Sequence, residues 1–264
     1  MLIDSHIHLD DERFQLNQNE IVNAAREANL IAQIVPAIAR RWWPRVKETC
    51  ERFNDVFACY GLHPCFMAEH QDNDIAQLSD WLQRETPVAI GECGLDYFIP
   101  NPDKVRQKQF FSAQLAIAKE FKLPIVIHAR KAVDDVIHMI RSSSHHCGMV
   151  HSFNGSIQQA TQLIDLGYRI SLGGAVTYPR AHRLHRLTKE LPLDALLLET
   201  DAPDQVTANR RGQLNQPAFL QDIWGFISEL RDEDAETIAQ ETTSNAKKLF
   251  QLGDSNATTE SPNA

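Results

Sequence analysis

The sequence feature that most constrains the fold is a regular alternation of short hydrophobic runs with longer amphipathic stretches. Some short runs are apolar at every position, as in 125–127 and 195–198, which is typical of parallel strands covered on both faces. The strand-like runs are residues 2–7, 31–38, 56–61, 87–92, 124–128, 147–152, 168–173 and 195–200. The helix-like stretches are roughly residues 18–29, 41–53, 73–84, 103–121, 131–143, 155–166, 180–190 and 216–230. This alternation predicts an α/β fold, a (β/α)8 barrel of the TIM type.

The length of the chain agrees with this fold. Its 264 residues fit one α/β barrel, and we expect residues 1–252 to form a single catalytic barrel domain. An open doubly wound sheet is the alternative, but no glycine-rich phosphate loop follows the first strand. The stretch 253–264 is rich in Ser, Asn and Thr, has little to bury, and is expected to be a disordered tail.

Composition narrows the possible functions and the compartment. The net charge of −9 disfavours a protein that coats duplex DNA, but not an enzyme whose acidic pocket holds cations. Five cysteines without a CxxC pair argue against a disulfide framework. The sequence shows neither an apolar run of membrane-spanning length nor a basic region before its first apolar residues. We therefore expect a cytoplasmic protein that contacts no membrane and has no obligate protein partner.

Two histidines separated by one residue lie at the end of the first hydrophobic run, in the sequence Asp4-Ser5-His6-Ile7-His8. Alternate residues of a strand point to the same side, so we expect His6 and His8 to project into one space while Ile7 points away. Two converging imidazoles are half of a transition-metal site.

Further ligand-type residues follow later strand-like runs. Active sites of α/β barrels form at the C-terminal ends of the strands, so residues at those ends are expected to meet. The predicted metal ligands are His6, His8, Glu92, His128, His151 and Asp201.

Four imidazoles and two carboxylates can hold two divalent cations, with Glu92 as the bridge and open positions for water and substrate. The histidine content favours zinc, manganese or iron, and magnesium is kept as an alternative. A metal-bound hydroxide would be the nucleophile. Glu92 and Asp201 are the predicted catalytic residues, because Asp201 could also orient or deprotonate the attacking water.

Weaker candidates lie near the same strand ends. His63 is either a turn residue or a substrate contact, whereas Arg130, two residues beyond His128, is expected to contact a phosphate. A basic and aromatic rim suits either single-stranded nucleic acid or a solvated surface. It comprises Arg40, Arg41, Trp42, Trp43, Arg45, Arg180, Arg183, Arg186, Arg210 and Arg211.

Other histidines and one cysteine are expected to be structural or solvated. His145 and His146 precede the sixth strand-like run and are expected to be solvated, on the face opposite the site. His182 and His185 are expected on a helix surface, and Cys93 is expected to be a small buried residue without a nucleophilic role.

Taken in order, these motifs resemble the TatD family of metal-dependent hydrolases, a likeness that covers essentially residues 1–250. The motifs are Asp4–His8, Gly61–Pro64, Gly91–Tyr97, His128–Arg130, His151–Gly155, Ser171–Gly174, Glu199–Pro203 and Asn215–Pro217. The resemblance implies an amidohydrolase-like barrel with two metals. His6, His8 and Asp201 would bind one metal, His128 and His151 the other, and Glu92 would bridge them.

Several members of that family are deoxyribonucleases, some of which act from the 3′ end of single strands. Many members carry Cys at the position of Ser152. The segment from Pro203 to Asn215 varies within the family, which leaves substrate recognition open.

Three functions are compatible with the sequence. The first is hydrolysis of phosphodiester bonds in DNA, with DNA or a small phosphoester as the partner. The second is hydrolysis of a small amide, lactone or phosphoester on the same barrel. Related amidohydrolases often bridge their metals with a carboxylated lysine at strand four, and Glu92 in that place favours the TatD branch. The third is a non-catalytic metal-binding adaptor, which the complete ligand set disfavours.

Overall fold

The computed structural model describes residues 1–253, and the expected disorder of the tail lies, apart from Gly253, outside the described residues. The strands are β1 (Leu2–Asp4), β2 (Leu30–Ala37), β3 (Val56–Tyr60), β4 (Ala89–Asp96), β5 (Ile125–Arg130), β6 (Gly148–Val150), β7 (Tyr168–Leu172) and β8 (Leu196–Leu198). The helices are α1 (Gln18–Glu27), α2 (Trp43–Arg52), α3 (Asp74–Leu82), α4 (Lys104–Phe121), α5 (Val133–Ser143), α6 (Ile157–Asp165), α7 (His182–Glu190), α8 (Leu220–Leu230) and α9 (Ala235–Phe250).

Within the described residues, eight strands pair in chain order, and each pairs in parallel with the next. The first and last strands meet where the N–H of Ser5 donates to the carbonyl of Leu198 at 3.0 Å. The sheet is therefore a nearly closed barrel with its helices outside, and the predicted (β/α)8 fold is confirmed.

Local signals set several helix ends. Asp103 accepts a hydrogen bond from the N–H of Arg106 at the start of α4, as an N-cap residue does. Ser156 and Gln159 form a reciprocal capping box at the start of α6, which satisfies two backbone donors. Gly167, with φ +87°, lies in the left-handed turn between α6 and β7 that the sequence predicts.

Apolar side chains from the strands and from α9 pack together in the interior of the barrel. Ile34, Val126 and Leu197 pack in the same cluster as Leu249 and Phe250. Helix α9, which the sequence analysis did not predict, is part of this interior cluster and packs against the first and last strands. The six predicted metal ligands are not part of this cluster and lie at the C-terminal end of the strands.

The structure corrects two expectations. Strand β1 ends at Asp4, so His6 and His8 lie in the loop that follows it and not on a strand. Their convergence therefore does not come from strand alternation. His145 is buried, whereas His146 is exposed. The imidazole of His145 pairs with the hydroxyl of Tyr168 and the carbonyl of Leu123, each at 2.9 Å, which explains why it is not solvated.

The described residues include no helix that combines the length and the apolar character needed to cross a membrane.

Candidate metal centre

The six side chains predicted as metal ligands lie together at the C-terminal end of the barrel. Glu92 and His128 belong to β4 and β5, and the other four follow the ends of β1, β6 and β8. The ends of different strands and the loops that follow them thus supply one cluster, as in other barrels of this architecture.

The carboxylate of Glu92 occupies the centre of this cluster and faces two groups of nitrogen atoms. Its Oε2 lies 3.3 Å from Nε2 of His6 and 3.5 Å from Nε2 of His8. Its Oε1 lies 3.2 Å from Nδ1 of His128 and 2.8 Å from Nε2 of His151. The two carboxylate oxygens therefore face different imidazoles.

Asp201 faces the first pair of imidazoles, those of His6 and His8. Its Oδ1 lies 3.5 Å from Nε2 of His6 and 3.6 Å from Nε2 of His8. Its N–H donates to the carbonyl of His6 at 2.9 Å, which ties the loop after β8 to the loop after β1. The other carboxylate oxygen, Oδ2, accepts a hydrogen bond from Nε2 of Gln205.

His63, predicted as a substrate contact, lies within the same cluster. Its Nε2 is 2.9 Å from Oε1 of Glu92, and its Nδ1 accepts a hydrogen bond from the N–H of Cys65 at 3.1 Å. Because an imidazole nitrogen that accepts a hydrogen bond carries no proton, the neutral ring has its hydrogen on Nε2. His63 therefore donates to Glu92 and is a hydrogen-bond partner of this carboxylate.

Arg130, the other predicted substrate contact, lies at the end of β5 and is exposed. Its guanidinium carbon lies 3.9 Å from the centroid of the Phe98 ring. Both side chains line the cleft above the cluster. The stack leaves the guanidinium hydrogens, which lie in its plane, free to contact an anion.

Asp96 is a member of the site that the sequence analysis did not select. Its Oδ2 lies 3.0 Å from Nε2 of His128, on the side of the ring away from Glu92. Burial opposes the ionisation of Asp96, but hydrogen bonds with His128 and the N–H of Phe98 outweigh it and lower its pKa to about 2. Asp96 is therefore a charged acceptor that fixes the orientation of the His128 ring.

Two more carboxylates lie beneath the cluster. Oε1 of Glu199 accepts the N–H of Ser152 at 2.5 Å and lies 3.7 Å from Nδ1 of His151. Asp4 is fully buried and accepts the hydroxyl of Thr200 at 2.5 Å and its N–H at 3.0 Å. These contacts hold the loops that carry the predicted ligands.

A sequence signal for these carboxylates was present. Asp4, Asp96 and Glu199 all belong to the motifs at the strand ends. A ligating histidine commonly gives its second ring hydrogen to a carboxylate. Spacing in the sequence does not show which carboxylate faces which ring, so only the structure separates a partner from a ligand.

The charges in the site shift one another's pKa values. Burial opposes the ionisation of Glu92, but attraction by the imidazoles of His63, His151 and His6 holds its pKa well below the usual value. Burial lowers the pKa of His63 to about 4. At neutral pH, Glu92 is therefore ionised and His63 is neutral.

The donor set fits a metal ion. Both ring nitrogens of His6 and Nδ1 of His151 are buried without a hydrogen-bond partner among the described residues, and each such atom costs roughly 1–3 kcal/mol. Nε2 of His6 lies within 3.5 Å of carboxylate oxygens from Glu92 and Asp201. Imidazole nitrogens that meet carboxylate oxygens in this way suit a divalent transition metal.

A cleft of about 1490 Å³ opens above the cluster. Its walls include acidic, basic and aromatic side chains, among them Arg41, Trp42 and Asp204. The guanidinium carbon of Arg41 lies 3.8 Å from the centroid of Trp42, whereas Trp43 is buried in the core. Of the adjacent tryptophans, only Trp42 reaches the cleft.

The remaining minor predictions have mixed outcomes. His182 is exposed, as expected, but His185 is half-buried and pairs with the carbonyl of Val176 at 2.9 Å. Cys93 is fully buried. Burial raises the pKa of its thiol well above the usual value, which agrees with a residue that is not a nucleophile.

Comparisons with known proteins place these observations in a family context. The family model described as "TatD related DNase" matches residues 3–251. The uncharacterized metal-dependent hydrolase YjjV of Escherichia coli is 38% identical over 253 residues, which is 95% of this chain and 98% of that protein. The uncharacterized metal-dependent hydrolase YabD of Bacillus subtilis is 34% identical over 254 residues, covering 96% of this chain and all of that protein (100%).

Solved structures share this fold. The crystal structure of E. coli YjjV, described as a TatD homolog, superposes with a TM-score of 0.93 over 96% of this chain and 98% of that chain, at 36% identity. The phosphotriesterase homology protein of E. coli shares the fold, with a TM-score of 0.68 at 14% identity over 95% of this chain and 98% of that chain.

Proposed function

The chain belongs to the TatD family of metal-dependent hydrolases, and from this premise we propose that it hydrolyses phosphodiester bonds of DNA with two divalent cations. The observation that carries the proposal is the position of Glu92, whose two oxygens face two separate groups of donors. Two cations held by one carboxylate are typical of enzymes that displace an oxygen at phosphorus.

The donors divide between the two proposed cations. His6, His8 and Asp201 would hold one, and His128 and His151 the other, with Glu92 shared between them. Most of these donors are imidazole nitrogens, which favour zinc or manganese over magnesium.

The two cations, when bound, would make a water molecule more acidic and neutralise charge on the phosphate. Asp201 is the carboxylate placed to take the proton of that water, because its side chain is 12% exposed to the cleft, against 3% for Glu92. Gln205 holds Oδ2 of Asp201, which fixes the direction of the carboxylate. His63 orients Glu92 by donating to its Oε1.

Two cation–aromatic pairs of the cleft support a nucleic-acid substrate. Arg130 stacks on Phe98, a residue that is 56% exposed, and Arg41 stacks on Trp42. Guanidinium groups bind phosphate, and exposed aromatic rings stack on bases. Bases in a duplex are already stacked on one another, so this arrangement suits a single strand.

The test is cleavage of a 5′-labelled single-stranded oligonucleotide by protein that is purified without chelator and loaded with Mg²⁺, Mn²⁺ or Zn²⁺. The variant Glu92→Ala is assayed in parallel. We expect a ladder that shortens from the 3′ end with the wild type and is absent with the variant. The exposed Glu120 of α4 supplies the matched control, and Glu120→Ala should cleave as the wild type does.

A panel of small amides, lactones and phosphoesters is assayed with the same preparations. Hydrolysis of an amide or lactone, with no DNA cleavage although metal is bound stoichiometrically, would replace the proposed function with a small-molecule hydrolase. No turnover of any substrate would instead favour a metal-binding adaptor.

A further inference from the structure

A second cavity, of about 660 Å³, adjoins the metal-binding cleft. Asn154, Arg183 and Gln205 line both spaces, while Tyr178 and Arg180 line the second. The cleft and the second cavity are therefore neighbours that share part of their lining.

The second cavity carries positive charge without a compensating carboxylate. Arg180 and Arg183 line it, and none of its lining residues that the structure describes is acidic. Arg183 donates to the amide oxygen of Asn154 at 2.6 Å. Arg180 forms no hydrogen bond or ion pair with any residue in the described range 1–253.

Arg13 and Arg45, which line the cleft, differ in this respect. Arg13 pairs with Asp204 at 2.9 Å, and Arg45 pairs with Glu12 at 3.3 Å. In a chain with a net charge of −9, acidic partners are abundant. Two adjacent arginines left without one therefore provide a local positive potential that an anionic ligand would neutralise.

Gln205 connects the second cavity to the metal centre. Its backbone is in the left-handed region, with φ +51°, an uncommon conformation for a residue with a side chain. Its Oε1 accepts the hydroxyl of Ser152 at 2.7 Å, and its Nε2 donates to Oδ2 of Asp201. Gln205 therefore lines both cavities and also contacts Asp201, a predicted catalytic carboxylate.

The remaining walls suit the uncharged part of a nucleotide. The hydroxyl of Tyr178 donates to the carbonyl of Val206 at 3.1 Å, which holds the phenol ring in place. Ala175 and Leu184 add apolar surface. Guanidinium groups beside apolar and aromatic surface match a phosphate linked to a sugar and a base.

We propose that this second cavity binds the phosphodiester group next to the one that is cleaved, so that the enzyme selects oligonucleotides over single phosphate esters. This inference rests on the proposed function, because it names the substrate that the same site takes. In a nucleic acid, neighbouring phosphates are separated by one nucleotide. A cavity that adjoins the metal-binding cleft and carries two arginines without an acidic partner is placed to bind that neighbour.

The experiment compares a decanucleotide with a dinucleoside monophosphate, which contains one phosphodiester and no neighbouring phosphate. The ratio of kcat/KM for the two substrates is measured for the wild type, Arg180→Gln, Arg183→Gln and the double variant. We expect each single change to reduce this ratio about tenfold, mainly through KM for the decanucleotide, since a hydrogen bond to a charged group is lost. Arg141→Gln is the matched control, because Arg141 lies in the last turn of α5, at the end of the barrel away from the site. It should keep the wild-type ratio.

A second measurement separates this inference from the proposed function. Binding of a fluorescent decanucleotide to the metal-loaded proteins is followed by anisotropy as the salt concentration rises. Weaker binding and a shallower salt dependence in the double variant support the subsite even without turnover. If the double variant binds as the wild type does, or loses kcat/KM equally for both substrates, the subsite is refuted, and cleavage by the wild type would still uphold the proposed function.

Discussion

Asp96 and His128 form a hydrogen bond on the side of the imidazole away from the site, with 3.0 Å between Oδ2 and Nε2. The other ring nitrogen, Nδ1, lies 3.2 Å from Oε1 of Glu92. The carboxylate of Asp96 thus directs the Nδ1 lone pair of His128 towards the centre of the cluster. This is the arrangement that orients histidine ligands in metalloproteins and raises their basicity.

Replacing Asp96 with Asn should weaken metal binding. The amide keeps the size of the side chain but removes the charge that stabilises His128, so we expect metal affinity to fall about 10- to 100-fold. Competition with a chromophoric chelator measures this change. Asp165→Asn, at an exposed position of α6, is the control. Metal affinity equal to that of the wild type would show that Asp96 has no such role.

Replacing Gln205 with Ala should lower kcat by about tenfold, because Oδ2 of Asp201 loses its hydrogen-bond donor. Gln205→Glu should lower kcat further, since it sets two carboxylates against each other. Turnover of a dinucleoside monophosphate measures the effect without involving the second cavity. The exposed Gln158 provides the control variant Gln158→Ala. An unchanged kcat in both Gln205 variants would contradict the positioning role.

Replacing Gly61 with Ala should destabilise the fold and disturb the site together. A Cβ at Gly61 would lie 2.6 Å from the carbonyl carbon of Gly91, the residue before Glu92. We expect a loss of about 1–3 kcal/mol in the free energy of unfolding, measured by urea denaturation. Gly225, within α8, has no neighbour within 4 Å of such a Cβ. Gly225→Ala should therefore stabilise the protein by about 0.5–1 kcal/mol, and a loss at both positions would contradict the steric explanation.

The buried His145 should make stability fall with acidity. Burial lowers its pKa below the usual 6.5, so the folded protein keeps the ring neutral while the unfolded chain takes up a proton. Stability is therefore lost as the pH falls through the unfolded value. We expect the difference in Tm between about pH 7.5 and about pH 5.5 to be smaller in His145→Gln than in the wild type.

The exposed neighbour His146 supplies the control for that measurement. His146→Gln should retain the pH dependence of the wild type. If His145→Gln retains it as well, other groups carry the acid sensitivity of the fold.

Some features of the site could be predicted from the sequence because their signals are local. Residues 125–127 are apolar and end at His128, and 195–198 are apolar and end shortly before Asp201. In a parallel barrel, the C-terminal ends of these two strands must lie on the same side. That rule is sufficient to bring the six predicted ligands together, although the reason given for His6 and His8 was wrong, since β1 ends at Asp4.

Other features depend on contacts between segments that are distant in the chain. Hydrophobic pattern does not show that α9 packs with the interior strands, that His145 is buried, or that His63 donates to Glu92. Each result depends on which side chains remain close once the barrel has formed.

The sequence by itself determined the barrel and the end at which its chemistry lies, because periodicity and strand-end position are properties of neighbouring residues. Only the tertiary structure decided that Asp96 supports His128 and that Gln205 joins a second, positively charged cavity to Asp201. Those relationships arise from distances of a few ångströms between loops of different strands. The arrangement of such loops is set by packing and hydrogen bonding across the whole fold.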